Sequence, residues 1–177
     1  MTIIAEQGVH AVTAVSVGER AGYSRGIVNH QFGTRQALLA AVAETVQSGF
    51  DPNPQGLQGR EHVLALVAGY LSSLRSEPRD IRVFLRLMTA AISGEEPGLE
   101  PVFVQRDEYF RKHLAAAVAE GQYAHTVRGD LDAATTAAVI VGQLRGIALQ
   151  MQLSPGFVEL TELLKVSVRL IDAGLQP

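Results

Sequence analysis

Apolar residues recur along this chain every three to four positions, and nowhere do they alternate with the period of two that marks a half-buried strand. Arg60 to Ser76 sets Val63, Val67, Tyr70 and Leu74 on one stripe, with Leu64 and Leu71 beside it. Residues 79 to 93 place Ile81, Phe84, Leu85, Met88 and Ile92 on one face, and Val102 to Gln122 turns Phe103, Arg106, Phe110, His113, Leu114 and Ala117 inward. Two more helices follow: Ala133 to Leu153 under an Asp132 cap, and a last one opened by Ser154-Pro155 and running to about Ala173. Breaks fall where turn formers gather, at FDPNPQGLQG (50–59), Glu77-Pro78, the acidic GEEPGLEP (94–101) and Gly129. No repeat longer than a helix is present. The predicted fold class is all-α, an N-terminal three-helix head followed by a C-terminal helical body. The first Pro- and Gly-rich loop puts the division just before it, giving 1–48 and 49–177.

The head is made of shorter pieces. Met1 to Gln7 reads as the tail of a helix ended by Gly8. Thr13 is a natural N-cap for a helix that repeats Ala14, Val17 and Ala21 and turns Ser16, Glu19 and Arg20 elsewhere. Gly22 ends it, and Ser24 caps a second helix from Arg25 through His30 that Phe32-Gly33 closes. Two helices around a short Gly-containing turn make a helix-turn-helix, whose second member can lie in a DNA major groove. Its side chains suit that task. Arg25 can reach a phosphate or a guanine edge, Asn29 can pair with adenine, Ser24 and His30 can bond backbone oxygens, and Ile27 can meet a thymine methyl. Gly26 leaves room for the sugar-phosphate backbone. Arg35, in the first turn of the next helix, is expected to face a phosphate. Good helix formers from Gln36 to about Ser48 link head and body.

These residues resemble the DNA-binding segment of the TetR family of bacterial transcriptional regulators. Gly8, Thr13, Val17, Ala21-Gly22, Ser24-Arg25-Gly26, Phe32-Gly33 and Ala37-Leu38-Leu39 carry the resemblance, over roughly residues 3 to 45. This chain departs where the family usually has an aromatic at Asn29 and His30, Ala at Gly18 and Lys at Arg35. Gly18 is expected to weaken its helix by about 1 kcal/mol relative to Ala. The family's first helix is usually longer and often follows a basic arm, so by comparison a truncated first helix is expected here, either because the start was assigned downstream of the true one or because the protein is shortened in fact.

The resemblance implies a regulator, expected to repress, that binds palindromic double-stranded operator DNA as a homodimer and is released by a small, mainly apolar effector. Its expected DNA-facing set is Thr13, Ser24, Arg25, Gly26, Ile27, Asn29, His30 and Arg35. The connecting helix would transmit effector occupancy to the spacing of the heads. The rival reading is a helical dimer that binds a ligand or partner but not DNA, because its first helix is short.

Gly142 and Gly146 lie one turn apart, flanked by Val139, Leu149 and Leu153, and admit close approach of another helix. Phe157, Leu160, Leu164, Val168 and Ile171 form a matching stripe. Two such helices from each subunit would make the family's usual four-helix dimer interface, whereas the plainer alternative is packing within the chain. An effector pocket is expected between the helices at 60–122 and the one at 133–153. Tyr70, Phe84, Met88, Phe103, Tyr109, Phe110 and Met151 would supply its apolar wall, and Arg106, His113 and Gln143 its polar contacts. Most of these aromatics also serve as ordinary core. Arg79, Arg82 and Arg86, with Arg75 just before, could hold an anionic effector. A solvated face paired with Glu77, Asp80 or Glu95-Glu96 is the preferred reading.

Composition narrows the classes. Of the 177 residues, 47% are hydrophobic, a surplus that goes to a cavity or a subunit interface. Net charge is −3, so nothing global attracts polyanions or an anionic membrane. The head itself balances Arg20, Arg25 and Arg35 against Glu6, Glu19 and Glu44. The absence of cysteine excludes disulfides and thiolate chemistry and fits a cytoplasmic protein. No apolar run is long enough for a membrane span and no export signal opens the chain. His10, His62 and His125 have no partner at metal-ligand spacing, and neither a nucleophile elbow nor a Gly-rich phosphate loop occurs. Accordingly no enzyme, metal or cofactor is expected.

Overall fold

Local chemistry accounts for most of the helix ends. The computed structural model describes residues 1–48, 56–76, 78–156 and 158–177. It contains α1 (Thr2–Gln7), a 3-10 turn (Val9–Ala11), α2 (Ala14–Ala21), α3 (Arg25–Phe32), α4 (Arg35–Ser48), α5 (Gly59–Ser76) and α6 (Pro78–Ile92). A second 3-10 turn (Pro97–Leu99) leads into α7 (Glu100–Tyr123), followed by α8 (Ala133–Leu153) and α9 (Leu160–Leu175). Among the described residues there is no strand. Three of the expected side-chain caps are made: the Thr13 hydroxyl accepts from the Ser16 amide, Ser24 from Ile27 and Asp132 from Thr135.

The chain forms two units that do not follow it in order, Met1–Gly49 with Glu77–Arg106, and Phe50–Ser76 with Asp107–Pro177. These boundaries differ from the division expected near Ser48. In the first unit α6 packs on α1, on α4 and on the second 3-10 turn. Ile4, Leu39, Val83, Leu87 and Leu99 fill its centre, and Phe84 meets Phe103 edge-to-face with ring centres 5.5 Å apart. Arg86 Nη1 donates to the Ile4 carbonyl at 2.6 Å and Arg79 lies 3.2 Å from Asp80. These two arginines are thus engaged within the fold rather than aimed together at an anion.

In the second unit α5 packs on α8 and α9 around Val63, Leu66, Leu71, Leu114, Leu144 and Ile171. Tyr70 stacks on Phe110 at 6.4 Å. Arg145 Nη2 lies 2.6 Å from Asp107 Oδ1 while its guanidinium sits 5.8 Å above the Tyr70 ring. Burial pushes the Tyr70 phenol above its ordinary value, and the neighbouring Arg145 opposes that shift. Arg60 clips α5 to α9 through Asp172 at 2.6 Å.

Two expectations are corrected. Ile92 does not face in: it is the last residue of α6 and is 78% exposed, because Leu87, Ala90 and Ala91 already complete that helix's buried face. The last helix starts at Leu160 rather than at Ser154-Pro155, since Ser154 is used to close α8, its amide bonding the Gln150 carbonyl. The Glu159 carboxylate then caps α9 from the Glu162 amide at 2.9 Å. Phe157, Glu77 and residues 49–55 lie outside the described residues.

Bonds from Thr135 hold the Asp132 carboxyl below its ordinary value, and the Thr161 and Glu162 amides do the same for Glu159. A lowered folded-state pKa means that each cap contributes fully above the unfolded carboxyl value, about 4, and is lost as pH falls through the folded one. Amide protection in the first turns of α8 and α9 should therefore decline on acidification through the carboxylate range. Asp132→Asn, which keeps a good cap without the titration, should flatten that decline in α8 alone, as read by hydrogen exchange.

Candidate nucleic-acid interface

Residues 13–33 build one outward-facing surface from two eight-residue helices. Thr13 and Ser16 cap each other reciprocally, each side chain accepting the other's amide at 3.0 Å, and Ser16 Oγ also donates to the Ala11 carbonyl at 2.7 Å. At the turn Gly22 adopts φ 74°, a left-handed conformation that glycine enters without steric cost. The chain then folds back so tightly that the Tyr23 amide bonds the Gly18 carbonyl at 2.8 Å. A Cβ on residue 18 would stand 2.7 Å from the Tyr23 carbonyl oxygen and 3.3 Å from the Arg25 nitrogen. Gly18, expected only to weaken α2, is therefore what lets α2 and the entry to α3 approach.

In α3, Val28 is buried and Phe32 half-buried, while Arg25, Gly26, Ile27, Asn29 and His30 are exposed. Ile27 is 53% exposed, an apolar side chain held in water beside donors and acceptors. Seven of the eight expected DNA-facing residues lie on this surface or at its caps. Tyr23 and Gln31 are exposed there too and escaped the sequence reading. An aromatic between two helix caps was the available signal for Tyr23. Arg20 pairs with Glu6 at 3.0 Å, whereas Arg25 makes no ion pair among the described residues.

Arg35 is placed differently from expectation. Its Nε donates to the Val12 carbonyl at 2.8 Å, its Nη2 to the Val9 carbonyl at 2.9 Å and its Nη1 to Glu96 Oε1 at 2.6 Å. The carbonyls of Val9 and Val12, at the two ends of the first 3-10 turn, accept from the guanidinium and Glu96 supplies a countercharge, so the guanidinium is used within the fold.

The expected pocket residues do not all fall in one unit. Phe84, Met88, Phe103 and Arg106 belong to the first, where Arg106 Nη2 donates to the Gln47 carbonyl at 2.9 Å. Tyr70, Phe110, His113, Gln143 and Met151 belong to the second. His113 is half-buried with Nδ1 2.8 Å from the Tyr109 carbonyl of its own helix. The Arg145–Asp107 pair beside Tyr70 was missed, because its partners are 38 residues apart. A cleft of about 420 Å³ opens between α8 and α9, with Val139, Ile140, Leu170 and Ile171 in its wall and Asp130, Asp132 and Gln143 at its polar edge.

Of the residues expected on a dimer face, Gly142 and Leu149 are exposed, and Gly146, Leu160, Leu164 and Val168 are half-buried. Neither glycine has an atom within reach of an added Cβ, so this side of α8 is open. Val139 and Leu153 are 64% and 73% exposed. On α9 the outermost apolar residues are Val166 and Leu170, while Ile171 turns into the core.

The family profile described as bacterial regulatory proteins, tetR family, matches residues 1–42, and that of the BetI-type transcriptional repressor C-terminal region matches residues 59–176. No curated protein matches the chain. Among solved structures, a regulator from Saccharomonospora viridis in complex with choline is 19% identical with a TM-score of 0.83, over 99% of this chain and 92% of that one. FadR of Bacillus subtilis in complex with stearoyl-CoA is 16% identical with a TM-score of 0.81, over 99% and 95%. SmeT, the repressor of a Stenotrophomonas maltophilia multidrug efflux pump, is 16% identical with a TM-score of 0.82, over 99% and 86%. At these identities the likeness is one of fold.

The Gly18 contact makes a prediction opposite to helix propensity. Gly18→Ala should gain about 1 kcal/mol in α2 but lose more by forcing the Tyr23 carbonyl away. The expected net result is a lower thermal midpoint for the variant, measured by circular dichroism.

Proposed function

The chain belongs to the TetR family of bacterial regulatory proteins, and from that premise we propose that it represses transcription as a homodimer on a palindromic operator. As a family member it is a DNA-binding transcription regulator and not an enzyme. Residues 1–48 act as the reading head and 49–177 as the cytoplasmic protein's effector and dimerisation body. The observation that carries the reading is α3, which buries Val28 and leaves Arg25, Gly26, Ile27, Asn29 and His30 exposed behind a Ser24 cap. Thr13 and Ser24 meet the DNA backbone, Arg25 and Asn29 reach base edges or phosphate, and Ile27 meets a thymine methyl. Arg35 supports this surface from behind.

The dimer uses the open side of α8 along Val139, Gly142, Gly146, Leu149 and Leu153, with Leu160, Leu164, Val168 and Leu170 of α9. What supports it is apolar surface exposed on α8 at Val139, Leu149 and Leu153 and on α9 at Leu170, and a two-fold axis is what a palindrome requires. The effector is a small, mainly apolar molecule; the ligand of one similar structure, stearoyl-CoA, shares with it only an apolar acyl chain. Tyr70, Phe110, His113, Gln143 and Met151 are its expected contacts in the second unit. It releases DNA only in so far as it binds the two states of the dimer unequally.

Selection of bound duplexes from a random library, followed by fluorescence anisotropy across a salt series, tests the reading. A recovered palindrome establishes the operator, and failure to enrich any sequence leaves a helical dimer that binds a ligand or partner without DNA. Arg25→Ala should weaken binding to the selected duplex by about ten-fold or more. A phosphate contact would lower the salt slope by about one, and a guanine contact would relax specificity at one position. Leu149→Glu with Leu170→Glu should shift the protein to monomer in analytical ultracentrifugation, because two charges would then sit in the proposed interface.

A further inference from the structure

The corner between α6 and α7 touches the head at three side chains. Glu96 Oε1 lies 2.6 Å from Arg35 Nη1, Glu95 Oε2 lies 3.4 Å from His10 Nε2, and the Gln36 side chain occupies the space a Cβ on Gly98 would need. Glu96 is held on both sides. Its amide bonds the Ala90 carbonyl at the end of α6 at 3.0 Å, and its carbonyl accepts from Leu99, which is fully buried. Its carboxylate is thus a fixed point, largely shielded from solvent.

Arg35 occupies a particular place relative to the helix-turn-helix. It follows α3 directly across Gly33-Thr34, and the Val12 carbonyl it bonds immediately precedes Thr13, the cap of α2. A single guanidinium therefore joins the exit of the motif to its entrance, and its third nitrogen ties both to the corner. Arginine's planar fork makes three such bonds at once, a geometry lysine cannot reproduce.

We propose that Glu96 is a positioning residue for DNA reading: through Arg35 it fixes the helix-turn-helix to the α6–α7 corner and so sets the aim of α3. Its effect on DNA rests on the operator reading above, while the tie itself does not. Without the Glu96 carboxylate, Arg35 keeps its bonds to Val9 and Val12, so the motif stays folded, and α6 still packs on α1 and α4, but the motif loses its direct tie to the α6–α7 corner.

Glu96→Ala and Glu96→Gln in the full-length protein test this by two readouts. The first is amide hydrogen exchange. The expected result is faster exchange across residues 12–38, about ten-fold in Glu96→Ala and less in Glu96→Gln, the scale of one lost charge-assisted hydrogen bond, with α5, α8 and α9 unchanged. The second is affinity for the duplex selected by the wild-type protein against a random duplex of equal length. The expected result is a loss of about ten-fold for the selected duplex alone, with the salt slope preserved because Glu96 touches no phosphate. Unchanged head exchange overturns the proposal. So does a parallel fall in both affinities, or faster exchange throughout, because a merely structural role would produce either. If the wild type prefers no duplex, the operator reading fails by itself, and the exchange experiment still decides whether Glu96 holds the head.

Discussion

A helix of two turns does not persist in water, since nucleation fixes several residues before the first bond repays any of it. α3 is such a helix, and it contributes one buried side chain, Val28, to its own retention. Its shape and direction therefore come from outside. Ser24 satisfies an amide at its start, the Gly33 amide closes on Asn29 at its end, and α2 lies against it across a turn that leaves no space for a Cβ at residue 18. Behind these, Arg35 gathers the two ends of the motif and α6 packs on α1 and α4. The other elements of this unit answer the same need, to hold rigid a helix whose working face must stay out of the core.

What was legible in the chain is what depends on near neighbours. The caps at Thr13, Ser24 and Asp132 and the left-handed turn at Gly22 each involve partners within three or four residues, so type and spacing suffice to read them. The helical periods of α5 and α7 were legible for the same reason. What escaped depends on partners far along the chain. The Glu96 bond to Arg35 spans 61 residues and the Asp107 bond to Arg145 spans 38, and no local pattern specifies either. Gly18 is instructive because propensity priced it as a defect, whereas its reason is a carbonyl five residues on that folds back over it. Ser154-Pro155 misled differently: one serine can close a helix or open one, and here it closes α8.

The distribution of charge in the head follows from the same structure. Arg20 is paired with Glu6 and Arg35 with Glu96, which leaves Arg25 as the head arginine without an ion pair among the described residues. A surface of this kind adds little long-range attraction for a polyanion. On the proposed reading, recognition by it would rest on close-range groups, the Asn29 amide, the Ser24 and Thr13 hydroxyls, the His30 ring and the Ile27 side chain, and hence on shape and register more than on field strength.

The open side of α8, with Val139, Leu149 and Leu153 in water and vacant space beside Gly142 and Gly146, has a consequence for gene dosage. Each isolated chain carries hydrated apolar surface that a second chain would cover, and in a dilute cell few chains find each other. Where chains are scarce, the paired form rises with the square of their number. A regulator that pairs through this stripe would thus respond to its own rate of synthesis more steeply than in proportion, with a threshold set by the affinity of one chain for the other.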